Sequence, residues 1–420
     1  MVTTVAVVRV LLTDGSGLTS RQVAGRLAAS GHEVHVLAPS PLVLTRFTRS
    51  VRRVHRAPAY GADPWRWLEE ALRIARRERI EVLFPTQEQV AVLARAVDRV
   101  ARAGVRTAVP SFDALRSVLD KVSAARTLAR LHLPVPETTV ASSGADLAAV
   151  DGFPVYLKAP IGTAGRSVAR ANGAGDMPLA ARRVGAAEAF GAGGVVVQRA
   201  LAGPLVMVQA VFDGGRPIAA HANLRSREGV GGGASSKESV DLPEVRDHLL
   251  RLGSALAWHG ALSLDAILAV DGVRYIDVNP RLVEPFNAWR SGTDLVGAML
   301  ALSRGEHPPA QRPGRPGVRT HQVLLAVLAA AQRRGRRAIA EELLSAALRR
   351  GPYAGSVEEL TPLRGDPRSA IPVALAAAST LIRPGSYRAF TGEAVGAYAL
   401  TSAAWDLIVA GSPGRRAPAT

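Results

Sequence analysis

One stretch constrains this chain more than any other: residues 261–281, ALSLDAILAVDGVRYIDVNPR. Two runs of alternating apolar residues flank Asp271-Gly272, which reads as a β-hairpin. Asp265 and Asp277 stand one on each arm, and register decides whether they meet. A two-residue loop at Asp271-Gly272 would pair Val270 with Val273 and put the acids on opposite faces. A three-residue loop of Val270, Asp271 and Gly272, with the glycine left-handed, sets Asp265 directly across from Asp277. The second register is the expectation. It gives Leu264, Ala266, Leu268, Ile276 and Val278 one apolar face, broken only by Arg274, and leaves Asp265, Asp277 and Asn279 on the other. Carboxylates so placed, with Cβ atoms about 5 Å apart, repel one another. A hard divalent cation such as Mg²⁺ relieves that conflict, because it takes carboxylate and amide oxygens together with substrate phosphates. Without a cation the same stretch is a surface hairpin carrying two scattered acids.

The 420 residues predict two or three domains, and a hydrophobic content of 48% supplies a substantial core. The absence of cysteine excludes disulfides, thiolate metal sites and cysteine nucleophiles, and suits the cytoplasm, the expected location. The opening MVTTVAVVRVLL has no basic leader and no cleavage site, so it is expected to be a first strand rather than a signal peptide. No uncharged apolar run reaches the roughly 18 residues of a membrane-spanning helix. The net charge of +17 is spread along the chain and aromatics are only 5%, so a nucleic-acid partner is not expected. Only Lys121, Lys158 and Lys237 among the 52 basic residues are lysines. In a chain that has drifted to arginine, the lysines that remain suggest tight space around a phosphate, where a compact ammonium fits and a guanidinium does not.

Taken in order, the chain first alternates strand and helix. An apolar run at 4–12 is followed by a DGSG loop, a helix over about 19–30 and a strand at 33–38. Helices near 65–78 and 87–102 alternate with strands at 80–85 and 106–109, which predicts a doubly wound α/β unit. The DGSG loop lacks the full dinucleotide fingerprint. A helix at 121–131 leads to a strand at 137–141. Strands at 155–158 and 167–170 then flank the loop APIGTAGR, where a lysine precedes small residues whose backbone N–H groups can approach phosphate oxygens. A helix at 176–190, strands at 195–198, 204–212 and 217–224, a glycine-rich loop at 229–239 and a helix at 242–258 lead to the hairpin. His221 and His259 have no second histidine at ligand spacing and are expected to be structural.

These pieces, in this order, resemble the ATP-grasp superfamily, above all its carboxylate-amine ligase, biotin carboxylase and carbamoyl-phosphate synthase-like branch. The resemblance covers roughly residues 1–305 and rests on DKVSAARTLARLHLPVPETT (120–139), FPVYLKAPIGTAGRSV (153–168), VVVQRALAG (195–203), the 229–239 loop and the hairpin ending IDVNPR. It implies an α/β (α+β) chain: a Rossmann-like pre-ATP-grasp domain over 1–112, and an ATP-grasp domain over 113–305 whose two α+β subdomains clamp ATP. The lid subdomain falls at about 123–197. It implies ATP and Mg²⁺ as cofactors, with Mn²⁺ as a substitute. Lys121 and Lys158 would contact phosphates, and Gly162, Thr163, Ala164 and Gly165 would form a flap, to which Arg166 could belong. Gln198, Arg199, Ala200 and Leu201 would be the hinge reading the adenine edge. Asp265, Asp277 and Asn279 would hold metal, Arg281 would stabilise the transferred phosphoryl group, and Arg225, Arg227 and Lys237 would lie near the acceptor. Gln198 stands where the family usually has glutamate, and both metal acids are aspartates, a methylene shorter than usual.

The implied activity is an ADP-forming ligase that joins a small carboxylate to an amine or another nucleophile through an acyl phosphate. The alternatives are a kinase or phosphotransferase of the same fold, or a degenerate ATP-binding regulatory or membrane-attached protein. A homodimer is the default oligomer. Beyond the resemblance lie a linker at 306–320 and apolar helices at 321–333, 337–350, 369–383 and 394–410. With Arg383 and Arg388 beside it, the segment 369–382 could rest on an anionic membrane; packing on the ligase domains is the plainer expectation.

Overall fold

The computed structural model describes residues 6–163, 165–333 and 335–411. The N-terminal unit is a parallel sheet in the order Arg53–Arg56, Glu33–Ala38, Arg9–Leu12, Val82–Phe84. Its strands are buried on both faces, which is why they read as continuous apolar runs. Val10, Leu12, Val34 and Val36 pack with Val23 and Leu27 of the helix Leu18–Ala29. Leu11, Leu37 and Leu83 point the other way, to Leu68 and Leu72 of the helix Pro64–Glu78. Asp63 caps that second helix, accepting from Trp65 N and Arg66 N. Two details differ from expectation. The strand Arg53–Arg56 has an alternating, half-exposed pattern that carries little apolar signal, and 106–109 contributes only a bridge between Arg106 and Val82.

A second, antiparallel sheet runs Thr138–Ala141, Val195–Arg199, Val155–Lys158, Val168–Ala171. The helix expected over 176–190 is two helices, Met177–Val184 and Ala186–Gly191, because Gly185 takes a left-handed φ of 64° between them.

The largest sheet has seven strands, in the order Gly272–Asn279, Gly260–Ala269, Leu205–Asp213, Arg216–Glu228, Ala234–Val240, Arg319–His321, Val357–Glu358. Val206, Val208, Ala210, Leu262, Leu264 and Ala266 cover one face with the helix Pro243–Leu256. Residues that pair directly share a face. Register therefore lines the opposite face with Asp277, Asp265, Met207, Asn223 and Ser239, and beside that row with Arg225, Lys237 and Thr320. The loop expected at 229–239 is corrected here. Its second half is the strand Ala234–Val240, paired on both sides, with Ser235, Ser236 and Lys237 buried. Glycines stop at 233, and only the preceding turn uses their freedom.

Residues beyond 305 thus contribute two strands to this sheet as well as helices. Val323–Arg333, Gly335–Ala347 and Ala370–Ile382 form a helical layer. Glu342 accepts from Arg227 Nη1 and Nη2 at 2.5 and 2.6 Å, and Tyr353 donates its hydroxyl to the same carboxylate. The helix expected over 394–410 is also two, Tyr387–Tyr398 and Ser402–Ala410. Thr401 ends the first by capping the second, accepting from Ala404 N at 3.1 Å. The last helix buries Ala404 and Ile408 in the N-terminal core, and Trp65 Nε1 donates to Leu407 O at 3.0 Å. No described helix is long and apolar enough to cross a membrane.

The Arg227–Glu342 fork ties the helical layer to the sheet. Glu342→Ala is expected to lower stability by about 2 kcal/mol, with the guanidinium and phenol left unmatched. Thermal unfolding against Glu341→Ala, an exposed neighbour, checks this.

Candidate active site

The hairpin brings Asp265 opposite Asp277, as its pattern requires, but by another route. The turn is two residues, Val270-Asp271: Ala269 faces Gly272, Leu268 faces Val273 and Ala266 faces Tyr275. The register then shifts by one, so that Asp265 faces Asp277 and Ser263 faces Asn279. Ile276 is the extra residue, a β-bulge. The expected three-residue loop and the expected inward Ile276 and Arg274 are both corrected. The bulge lets Val273 and Tyr275 enter the core beside Leu264, Ala266 and Val278, while Arg274 turns out to pair with Asp271. An unbroken period of two would have forced an arginine into that core.

Both acids lie on the polar face. Asn279 Nδ2 donates to Asp265 Oδ2 at 3.4 Å, and Asp277 Oδ1 accepts from Val278 N at 3.1 Å. Burial, and then the charge of Asp277, push the Asp265 carboxyl up to about 7, against the pull of Arg281, Lys158 and the Asn279 amide. An acid held that high beside a second acid is a site short of positive charge.

Lys158 comes to these acids from the other sheet. It ends the strand Val155–Lys158, is buried, and donates to Ile276 O at 2.5 Å and Gln198 Oε1 at 2.8 Å. The first of these acceptors belongs to the bulge. Burial lowers the Lys158 pKa; Asp277 holds it up and Lys121 lowers it further. Gln198 is itself held by Thr138, to whose hydroxyl it donates at 3.1 Å. A glutamate here would add a counter-charge to the ammonium; the amide orients it without one.

Lys121 opens the helix Lys121–Arg130, which Asp120 caps by accepting from Ser123 N. Its Nζ donates to Gly162 O at 2.9 Å, so the flap rests on it. Gly162 and Gly165 have φ of 159° and 72°, and a Cβ on Gly162 would collide with the Ser167 side chain. The close approach requires glycine. Thr163 is buried beside them, and Ala164 lies outside the described residues. In the hinge, Arg199 N and Ala200 N donate to Glu137 O and Pro154 O, and the Arg199 guanidinium pairs with Glu137. Leu201 follows at once.

Arg281 is nearly buried, with Nη2 3.3 Å from Glu88 Oε1 and its carbonyl accepting from Ser263 Oγ. Lys237 is fully buried between Glu284 Oε2 at 2.5 Å and Glu359 Oε2 at 2.7 Å. Burial alone would lower its pKa; the two carboxylates outweigh it and raise it. Arg225 donates to Gly232 O and pairs with Glu228 on a more open edge, and Arg227 belongs to the Glu342 fork. Sequence reasoning overlooked Glu88, Glu284 and Glu359. Glu284 had a signal, standing three residues after Arg281. Glu88 and Glu359 come from distant segments and had none.

The histidines are structural. His221 is buried, donates from Nε2 to Asn287 Oδ1, meets Ser291 Oγ through Nδ1, and is lowered to about 4 chiefly by burial. His259 lies 3.6 Å from Asp213. His35, His55 and Glu78 approach closely enough to share an ion, yet Arg77 donates to His55 Nδ1, His55 Nε2 meets His35 Nδ1 at 2.8 Å, and His35 Nε2 meets Glu33. That chain of donors is complete without a metal.

Asp265 sets a pH dependence. Its pKa is raised from 3.8 to about 7 on folding, so stability is present below about pH 4 and lost as pH rises through 7. Asp277→Asn removes the like charge. In EDTA at pH 8 the variant is expected to be more stable than the parent by about 1–2 kcal/mol, read by urea unfolding. Excess Mg²⁺ is expected to narrow that difference by stabilising the parent.

No family model matches the sequence. Solved structures do match. The biotin carboxylase of Campylobacter jejuni, in its β,γ-ATP complex, superposes with a TM-score of 0.60 at 18% identity, over 75% of this chain and 74% of that one. The biotin carboxylase domain of the Hydrogenobacter thermophilus 2-oxoglutarate carboxylase, with MgADP and bicarbonate, gives 0.58 at 16%, over 74% and 73%. N5-carboxyaminoimidazole ribonucleotide synthetase from Thermus thermophilus gives 0.54 at 19%, over 74% and 81%. At these identities the likeness is one of architecture. With its parallel N-terminal sheet and two antiparallel sheets, the chain has the ATP-grasp fold.

Proposed function

We propose that the chain is an ATP-dependent, ADP-forming ligase that phosphorylates a small carboxylate and passes the acyl group to an amine. The observation that carries this reading is the meeting of Lys158, Asp277, Asp265 and Asn279 where the two antiparallel sheets face each other. The donor set suits Mg²⁺: two carboxylates and an amide oxygen, hard ligands lacking a counter-charge. Asp265, Asp277 and Asn279 would hold the ion, which would supply positive charge to the phosphates.

The chain's own residues do the rest. Lys121 and Lys158 supply charge to the phosphates, and an amide and a carbonyl orient Lys158 without adding a counter-charge. Gly162 and Gly165 let the flap backbone approach the phosphates, with Thr163 and Ala164 between them. The hinge 198–201 faces the base. Arg281, oriented by Glu88, meets the negative charge spreading over the transferred group. Lys237, Glu284 and Arg225 border the acceptor end. Attack of the substrate carboxylate oxygen on the γ-phosphorus forms an acyl phosphate and releases ADP. Attack of the amine on the acyl carbon then releases phosphate. The carboxylate becomes an electrophile because phosphate is a good leaving group, and no protein nucleophile is required. The neighbours support the reading in kind: one holds β,γ-ATP, and another MgADP with bicarbonate.

ADP release from Mg·ATP is measured across a carboxylate panel with hydroxylamine present. A carboxylate that raises ADP and yields a hydroxamate is the expected result; a stable phosphorylated product would favour a kinase. Lys158→Ala is expected to lower turnover about 10²- to 10³-fold. ATP turnover that persists in Lys158→Ala would remove this reading.

A further inference from the structure

The helix Ala370–Ile382 carries no charge on any side and, apart from Ser379 and Thr380, is apolar all round, yet only one side of it is covered. A helix of that composition belongs in a protein core or in lipid. Its inner side is accounted for. Ala376, Ala377 and Thr380 are buried, Val373 packs with Leu324 and Leu328, and Leu381 packs with Val327 and Ile339. Its outer side is Ile371, Ala374, Leu375, Ala378 and Ile382, a spacing that gathers them into one stripe about 100° wide. The stripe is about 16 Å long from the rise of an α-helix. Its large side chains stand in solvent: Ile371 is 40%, Leu375 51% and Ile382 76% exposed. Arg336 holds the far end in place, donating from Nε to Leu381 O and from Nη2 to Ile382 O, both at 2.7 Å. Phe390 of the next helix, Tyr387–Tyr398, adds a further exposed ring, while Tyr387 turns inward to the clusters beneath.

Charge decides what fits this stripe. Residues 367–392 include arginines at 368, 383 and 388 and neither aspartate nor glutamate. Arg368 stands just before the stripe and Arg383 just after it, both exposed and, among the described residues, neither paired with an acid. A second copy related by a two-fold axis would lay its own stripe here parallel or antiparallel. Either way arginine would meet arginine, and like charges across an interface oppose it. An anionic bilayer takes both parts of the pattern. Its acyl boundary receives the apolar side chains, and its headgroup phosphates pair with the arginines at the two ends.

We propose that the outer face of the helix Ala370–Ile382 seats this protein on an anionic lipid bilayer, lying in the plane of the interface with Arg368, Arg383 and Arg388 among the headgroup phosphates. The attachment is peripheral, because 13 residues are too few to span and the inner face belongs to the protein. It stands independently of the ligase reading.

The test floats the full chain with vesicles of phosphatidylcholine alone, or of phosphatidylcholine and phosphatidylglycerol in equal parts. Binding to the anionic vesicles is expected to exceed binding to the neutral ones by about tenfold or more, and to weaken with added salt. The high net charge would give some of that preference anywhere on the surface, so the deciding variant leaves charge untouched. Ile371→Ser/Leu375→Ser/Ile382→Ser is expected to bind the anionic vesicles about tenfold more weakly while unfolding at the parent's temperature, since the three side chains are exposed. If the triple variant does not fold, Ile382→Ser alone, at the most exposed position, carries the measurement. Arg368→Gln/Arg383→Gln is expected to reduce the preference for anionic over neutral vesicles. Unchanged vesicle binding in a folded serine variant overturns the proposal, as does equal binding to neutral and anionic vesicles. A parent that sediments as a dimer and a serine variant that sediments as a monomer would assign the stripe to a second copy, and overturns it as well.

Discussion

Two carboxylates held face to face inside a protein are an unfavourable arrangement, and much of this molecule is built around holding them. Asp265 and Asp277 cannot separate, because the strands that carry them pair with each other, the Asp265 strand pairs again with Leu205–Asp213, and a core of Leu264, Ala266, Val273, Tyr275 and Val278 fixes both. The bulge at Ile276 is the local device. It reconciles an apolar face with a polar one, turns an arginine outward, and offers its carbonyl to Lys158. The small sheet reaches the large one through that bond. What the pair lacks is positive charge, and the elements converging on it bring Lys158 and Arg281.

The buried Lys237 shows a second form of the same physics. Lys237 is buried, and a lone buried ammonium would be costly. Glu284 lies on the turn after the hairpin, while Glu359 arrives from the far end of the chain, held by Thr320, Gln322 and Gln22. The C-terminal residues are therefore built into the sheet and its polar face rather than appended to them. A network whose members come from distant segments is complete only when the chain is fully folded.

How much of this was legible depended on the range of the interaction. Periodicity gave the N-terminal α/β unit, the lid strands and the facing acids, since alternation and turn residues act over a few neighbours. It failed where one residue breaks the period. Gly185 divides a helix, Thr401 divides another, and Ile276 shifts a register, each by local geometry that an averaged pattern hides. It failed again where strands form only through partners. Ala234–Val240 is a serine-rich segment with little strand signal, and it is ordered by Arg216–Glu228 on one side and Arg319–His321 on the other.

The sequence by itself determined which chemistry is available: three lysines, no cysteine, two aspartates and an asparagine on one hairpin, glycines after Lys158. These are covalent facts and short-range spacings. Only the tertiary structure decided how the groups are charged and what they touch. Burial lowers the Lys158 pKa while Gln198 and Ile276 O orient its ammonium, two glutamates raise that of Lys237, and Arg281 points as it does because Glu88 holds it. Burial and long-range pairing set those energies, and both arise from contacts between residues 40 to 193 positions apart, which spacing along a chain does not encode.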